Sequence, residues 1–275
     1  MKAISPSPSP VAPTNAPSHR PPRTPDVKRN RRIGAALLVA LPPLAILLFF
    51  PPLAQSQAYH AFADQRSWHG LPNATDVLTN LPFLLAGIFG LREAWHQPAT
   101  PLRAAWLAFF GGVSLVALGS GYYHLAPSDA SLVWDRLPMT FAFTSLFAAV
   151  LGETMDPYLG RRALYPALLG GVLSVFWWQH HGDLRPYFAV QLLALVGLPT
   201  LLVVFRRSGE GRSWLVAGLG CYTLAFAAEQ SDRAIFALTG GIVAGHSLKH
   251  CLAALACIAV AAMFRSRRSA VPACQ

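Results

Sequence analysis

Apolar runs dominate this chain, at about residues 33–53, 77–95, 102–124, 133–152, 163–179, 186–205, 213–231 and 246–264. Each is about 17–23 residues long, the length a helix needs to cross roughly 30 Å of hydrocarbon. A helix satisfies all its backbone hydrogen bonds within the segment, which an isolated strand or loop in lipid does not. The runs therefore predict an all-α integral membrane protein with eight crossings. Composition removes the alternatives: only 12% of the residues are charged, against about 25% in a soluble domain. A soluble enzyme, a coiled coil and a disordered chain are excluded. The formal charge of +10 is expected to mark cytoplasmic loops and not a nucleic-acid partner.

Residues 1–32 are rich in Pro and Ser and then basic, and are expected to form a disordered cytoplasmic tail. Residues 33–53 form an N-terminal span interrupted by Pro42-Pro43 and closed by Pro51-Pro52. Leu53-Ala54-Gln55-Ser56 has features of a processing region, but the 32-residue leader is long for a cleaved signal, so an uncleaved span is expected. The remaining helices fall within 54–265, and 266–275 is a second cytoplasmic tail. With eight crossings, both termini share one side. That side collects 17 of the 22 Lys and Arg, leaving Arg66, Arg136, Arg185, Arg233 and Lys249 opposite. The basic side is assigned to the cytoplasm. Cys221, Cys251, Cys257 and Cys274 include no CxxC pair and are read as small buried apolar residues.

Seven of nine histidines fall on or near the outer face. Ser120-Gly-Tyr-Tyr-His124 closes one helix and His246-Ser-Leu-Lys-His250 opens the last. Both are i, i+4 pairs, so each projects from one face of its helix. The two helices run in opposite directions, which brings these ends to one membrane depth. Three neutral imidazoles plus water form the usual open set of a catalytic zinc. The competing reading makes them interfacial histidines. Asp135 opens the next helix in Leu132-Val-Trp-Asp-Arg-Leu-Pro-Met139. It is either a proton acceptor and ligand-orienting group or a helix N-terminal acid paired with Arg136. Ser120 either donates to an oxyanion or bonds back to its own helix. Glu229-Gln-Ser-Asp232-Arg233 is read as an interfacial ion-pair cluster, and Trp177-Trp178-Gln-His180-His181 as an aromatic belt.

The order Ser-x-x-x-His, Asp, His-x-x-x-His resembles the CREST group of membrane hydrolases. Within it, SGYYHLAPSDASLVWDRLPM looks closest to the bacterial branch of the alkaline ceramidase family. Asn73-Ala-Thr-Asp76-Val-Leu-Thr-Asn80-Leu-Pro-Phe83 is similar to that family's approach to its first core helix. The resemblance spans roughly residues 60–265 and implies a seven-transmembrane-helix core, with 33–53 as an added helix. It implies one Zn2+ per chain, held by His124, His246 and His250 plus water, with Asp135 as proton carrier and Ser120 as helper at the tetrahedral intermediate. The reaction implied is cleavage of the N-acyl amide of ceramide or a ceramide-like lipid. Another N-acylated lipid suits the same chemistry, and a receptor-like protein with a structural metal is the non-enzymatic alternative. Eukaryotic members carry an acidic calcium cluster; here Ala63-Asp64-Gln65-Arg66 has one acid and a cation, so calcium is not expected. The expected partners are the bilayer and its lipid, with no protein partner inferred. The expected location is a bacterial inner membrane, with the site toward the periplasmic face.

Overall fold

The computed structural model describes residues 25–205 and 211–269. Among them it is all-helical, with one isolated bridge between Trp68 and Leu71. The helices are α1 (Pro25–Phe49), α2 (Ala74–Leu78), α3 (Leu81–Trp95), α4 (Arg103–Leu125), α5 (Asp129–Thr154), α6 (Pro157–His181), α7 (Arg185–Val204), α8 (Gly211–Gln230), α9 (Asp232–Leu238) and α10 (Gly245–Ser269).

Six segments are long and apolar enough to cross a membrane: Arg29–Phe49, Ala74–Trp95, Arg103–Leu125, Asp129–Thr154, Arg185–Val204 and Gly245–Arg268. The chain is an all-α, multi-pass membrane protein. The two other long helices, α6 and α8, are less apolar. The first carries Arg161, Arg162 and the His180-His181 pair, and the second Arg212 and Glu229.

Both chain ends depart from the boundaries expected from hydropathy. The first helix begins at Pro25, so the basic run Lys28–Arg32, expected to be disordered, is helical. Proline suits the first helical position because its missing N–H has no partner there anyway, and Lys and Arg propagate a helix well. Residues 1–24 lie outside the described residues. Helix α1 runs through Pro42-Pro43 and stops at Phe49, where Pro51 disfavours a helical conformation for Phe50. At the other end α10 continues to Ser269, beyond the expected tail boundary at 266. Arg267 pairs with Glu153 at 2.9 Å and Arg268 with Glu93 at 2.7 Å, and cations in a last turn also complement the helix dipole. Cys274 lies outside the described residues. The expected burial of the other cysteines is not met: Cys251 is exposed, and Cys221 and Cys257 are half-buried.

The main core is aromatic and small-residue packing of α3, α4, α5 and α10, including Trp106, Phe109, Phe110, Ala148, Ala149 and Phe264. A second apolar cluster, with Phe62, Tyr123, Leu132, Trp178 and Tyr187, sits at one end of the bundle. Helix α1 lies at the edge: Ala35 and Val39 are buried, while Leu37, Leu38, Leu41 and Leu48 face outward. Residues 54–73 form a strap across the end that holds the second cluster. Leu53 N–H donates to Asp183 at 3.2 Å and the Leu53 carbonyl accepts from Leu184. Ala63 N–H donates to Asp232 at 2.9 Å, and His60 joins Tyr123 to Asp129 at 2.8 and 3.0 Å. Two short-range pairs stiffen the corners. Arg66 beside Asp64 holds that carboxyl below its usual range, and Arg185 pulls Asp183 down to about 2.

Candidate metal centre

The centre is assembled where α4 ends and α5 and α10 begin. Any side chain at Gly119 would collide with the carbonyl oxygen of Trp134, so the backbones of α4 and α5 touch there. That contact brings Ser120 of α4 beside Asp135 of α5. Both are buried. One turn after Ser120, His124 occupies the last turn of α4.

A second close approach sets the start of α10. Gly245 packs against the Ala228 carbonyl and the Asp232 backbone. The Asp232 carboxylate accepts from the His246 backbone N–H at 2.8 Å, satisfying one of the donors a helix N-terminus leaves open. His246 and His250 then project from one face of α10, toward His124.

The three imidazoles meet as their spacing predicts. One ring nitrogen from each lies within 4.8 Å of the other two, and ring centroids are 4.8–5.0 Å apart. All three are buried. His124 Nε2 stands 3.3 Å from His246 Nε2. Ligands about 2.0–2.1 Å from a tetrahedral zinc stand about 3.3–3.4 Å from each other, so this pair already has the spacing of two metal ligands. Nitrogen donors of this kind fit zinc in the donor preferences of divalent metals.

The surroundings hold the rings and keep the site dry. Phe62 of the strap lies 4.7 Å from the His124 ring and 4.4 Å from the His246 ring. His250 Nδ1 is 3.0 Å from Thr79 Oγ1, which in turn lies 3.2 Å from the Asp76 carbonyl. Asp76 accepts from Ser247 at 2.6 Å. Asn73 donates to the His124 carbonyl at 2.8 Å, tying the strap's end to α4. Lys249 Nζ donates to Glu229 at 2.8 Å and lies 3.2 Å from His246 Nε2.

Of the five residues singled out from the sequence, His124, His246 and His250 converge, while Ser120 lies one turn before His124 on α4 and Asp135 beside Ser120 on α5. Thr79, Asp76, Ser247 and the Lys249–Glu229 pair were assigned no role there. The segment Glu229–Arg233, read as a bland interfacial cluster, supplies two carboxylates that support the histidines. His180 and His181 bond back to carbonyls of their own helix, at 2.9 and 3.1 Å.

Comparison with known proteins is consistent with this picture. A search of curated proteins found no match, and a search of solved structures found none either. The family model described as Ceramidase matches residues 73–270, from the end of the strap through α10 and leaving α1 outside. Most of the chain thus carries the family's pattern, including every histidine of the buried cluster, and the chain belongs to the alkaline ceramidase family of membrane hydrolases.

Proposed function

We propose that this chain is a zinc-dependent amidohydrolase that cleaves the N-acyl amide of ceramide or a ceramide-like membrane lipid, releasing a fatty acid and a sphingoid-type amine. The observation that carries the reading is the convergence of His124, His246 and His250 beside the Ser120–Asp135 pair. In this reading the three histidines hold one Zn2+ with water in the remaining position, and family membership supports both the hydrolase class and the lipid substrate. When bound, zinc polarises the amide carbonyl and lowers the pKa of water to about 7.

The chain's own groups do the rest. Asp135 accepts the proton of the attacking water, whose oxygen joins the acyl carbon. The carboxyl then returns that proton to the amine nitrogen as the C–N bond breaks. Ser120, beside Asp135, turns its hydroxyl toward the developing oxyanion. Phe62 keeps bulk water from the rings.

The proposed topology has eight crossings, with α6 and α8 completing the six apolar spans. Residues 54–265 form the seven-helix catalytic unit, and the N-terminal helix, expected over 33–53, is an added anchor. The termini face the cytoplasm of a bacterial inner membrane, and the site faces the outer side. Calcium has no role in this scheme: Asp64, the acid of the segment where relatives bind it, is paired with Arg66.

The test is zinc stoichiometry by elemental mass spectrometry on detergent-purified wild type and His246→Ala/His250→Ala, with ceramide hydrolysis measured in parallel. About one zinc per chain, lost with activity in the double variant, is expected. A folded, zinc-supplemented wild type without transition metal would overturn the reading.

A further inference from the structure

Between His246 and His250, α10 carries a lysine. Lys249 follows His246 by three positions, so the two side chains are neighbours on the helix surface. Its Nζ donates to Glu229 Oε1 at 2.8 Å and lies 3.2 Å from His246 Nε2, the same nitrogen that stands 3.3 Å from His124 Nε2. The ammonium therefore borders the nitrogens that face one another at the centre. Its charge also acts on Asp135 and on the rings of His124 and His250. The three histidines are buried, whereas the Lys249 and Glu229 side chains are 21% and 25% exposed. This flank of the centre is the more open one.

A tie between α8 and α10 explains the bond to Glu229 but not the ammonium's second contact. A cation beside three metal-binding nitrogens opposes the approach of a divalent ion, and a tie between helices needs no such placement. An ammonium has three donors and no lone pair, so it is not itself a ligand. One donor serves Glu229. The donor that faces His246 Nε2 loses its acceptor when that nitrogen gives its lone pair to a metal. An N–H is then free at the edge of the centre, while Glu229 still holds the ammonium in place.

The group such a donor serves is the amide oxygen, which gains negative charge as water adds to the acyl carbon. Lys249 lies within the apolar span Gly245–Arg268, where a charged hydrogen bond is stronger than in water. A donor fixed in advance at that oxygen favours the transition state over the bound substrate. The substrate itself needs no charge for this. The neutral amide of a ceramide acquires one only during the reaction.

Building on the N-acyl hydrolase reading, we propose that Lys249 is a catalytic residue whose ammonium, positioned by Glu229, donates with Ser120 to the oxyanion formed from the amide carbonyl. The water oxygen bonds to the acyl carbon, and the carbonyl π pair moves onto its oxygen. The pair returns as the C–N bond breaks. Lys249 keeps its own protons throughout, and Asp135 carries the transferred one.

The test compares wild type with Lys249→Met, which keeps the length and removes the charge, and Lys249→Arg, which keeps the charge. The readouts are melting temperature, zinc affinity by chelator competition, and kcat and KM on N-oleoylsphingosine and N-oleoylethanolamine. Binding of dodecylphosphonate, a tetrahedral anion, to the zinc-loaded proteins is read alongside them. Lys249→Met should melt like wild type and bind zinc at least as tightly, because a repelling charge is gone. Its kcat should fall about 100-fold with KM within about threefold, and dodecylphosphonate should bind about tenfold more weakly or worse. Lys249→Arg should recover part of both losses.

Retention of either kcat or phosphonate binding in Lys249→Met overturns the proposal and leaves the pair as a tie between α8 and α10. Zinc affinity that falls together with kcat also overturns it, because Lys249 would then support the centre and not the reaction. If Lys249→Met leaves Glu229 unpaired and does not fold, Lys249→Met/Glu229→Leu removes both charges, and the same pattern is expected. A zinc-loaded wild type that hydrolyses neither amide sinks the hydrolase reading and Lys249 with it as a catalytic group. An active wild type beside an equally active Lys249→Met sinks the proposal alone.

Discussion

Thr79→Val tests how the centre is held without touching a candidate ligand. The Thr79 hydroxyl donates to the Thr75 carbonyl at 2.8 Å, so its proton is committed to its own helix and its lone pairs face His250 Nδ1 at 3.0 Å. With that proton committed, the contact requires the ring to carry its proton on Nδ1. That tautomer leaves Nε2 with a free lone pair. Valine keeps the size of threonine and deletes the acceptor. Loss of such an outer partner costs about 10–100-fold in metal affinity, or about 1.4–2.7 kcal/mol. The lower end, about tenfold, is expected for one partner of one ligand. The assay is zinc binding in competition with a calibrated chelator, on protein with an unchanged melting temperature. Thr79→Ser, which keeps the oxygen, should stay within about twofold of wild type on the same reasoning. A Thr79→Val protein that melts like wild type and binds zinc equally well would refute the tautomer argument.

Three further outcomes are expected. Ser120→Ala and Asp135→Asn should each retain zinc while kcat falls, by about 100-fold or more for the lost oxyanion donor and for the lost proton carrier. Loss of metal in either would instead make that residue part of the ligand set. Gly119→Val should force α4 from α5 and lower stability by about 1–3 kcal/mol or more, read as a fall in melting temperature, with turnover falling as Ser120 and Asp135 separate. Asp183, held at about 2 by Arg185, has an ordinary unfolded value of about 3.9. A depressed carboxyl stabilises the fold fully above about pH 4 and loses that contribution as pH falls through 2. Wild type should therefore lose its melting advantage over Asp183→Asn across that window, and a constant difference would show that the pair does not anchor the strap.

The parts of the site that were legible in the sequence depend on local geometry. An i, i+4 pair shares a helix face whatever the neighbours do, and antiparallel spans of similar length must bring ends to a common depth. Those two facts bring His124, His246 and His250 to one depth, and the packing of α4 and α10 on α3 brings them together. Asp135 and Ser120 were visible as polar residues near helix ends, but their approach depends on Gly119 meeting Trp134, a contact between helices that no periodicity encodes. Thr79 was harder still. It lies at the break between α2 and α3, where hydropathy suggests a single run, and its bond to His250 spans 171 positions.

The ends of the chain show the complementary failure. Hydropathy locates hydrocarbon, and a helix is free to continue past it. Arg267 and Arg268 read as the start of a tail, yet their pairing with Glu153 and Glu93 keeps α10 wound through Ser269. Charge partners raise the same point inside the fold. The sequence shows five cations on the site's side and a similar supply of acids, but not which pairs form. Asp64, Asp183 and Glu229 are each taken by a nearby cation. A family pattern can identify the hydrolytic machinery because that machinery is local and repeated. Which charges pair around that machinery depends on non-local packing, which no local spacing encodes.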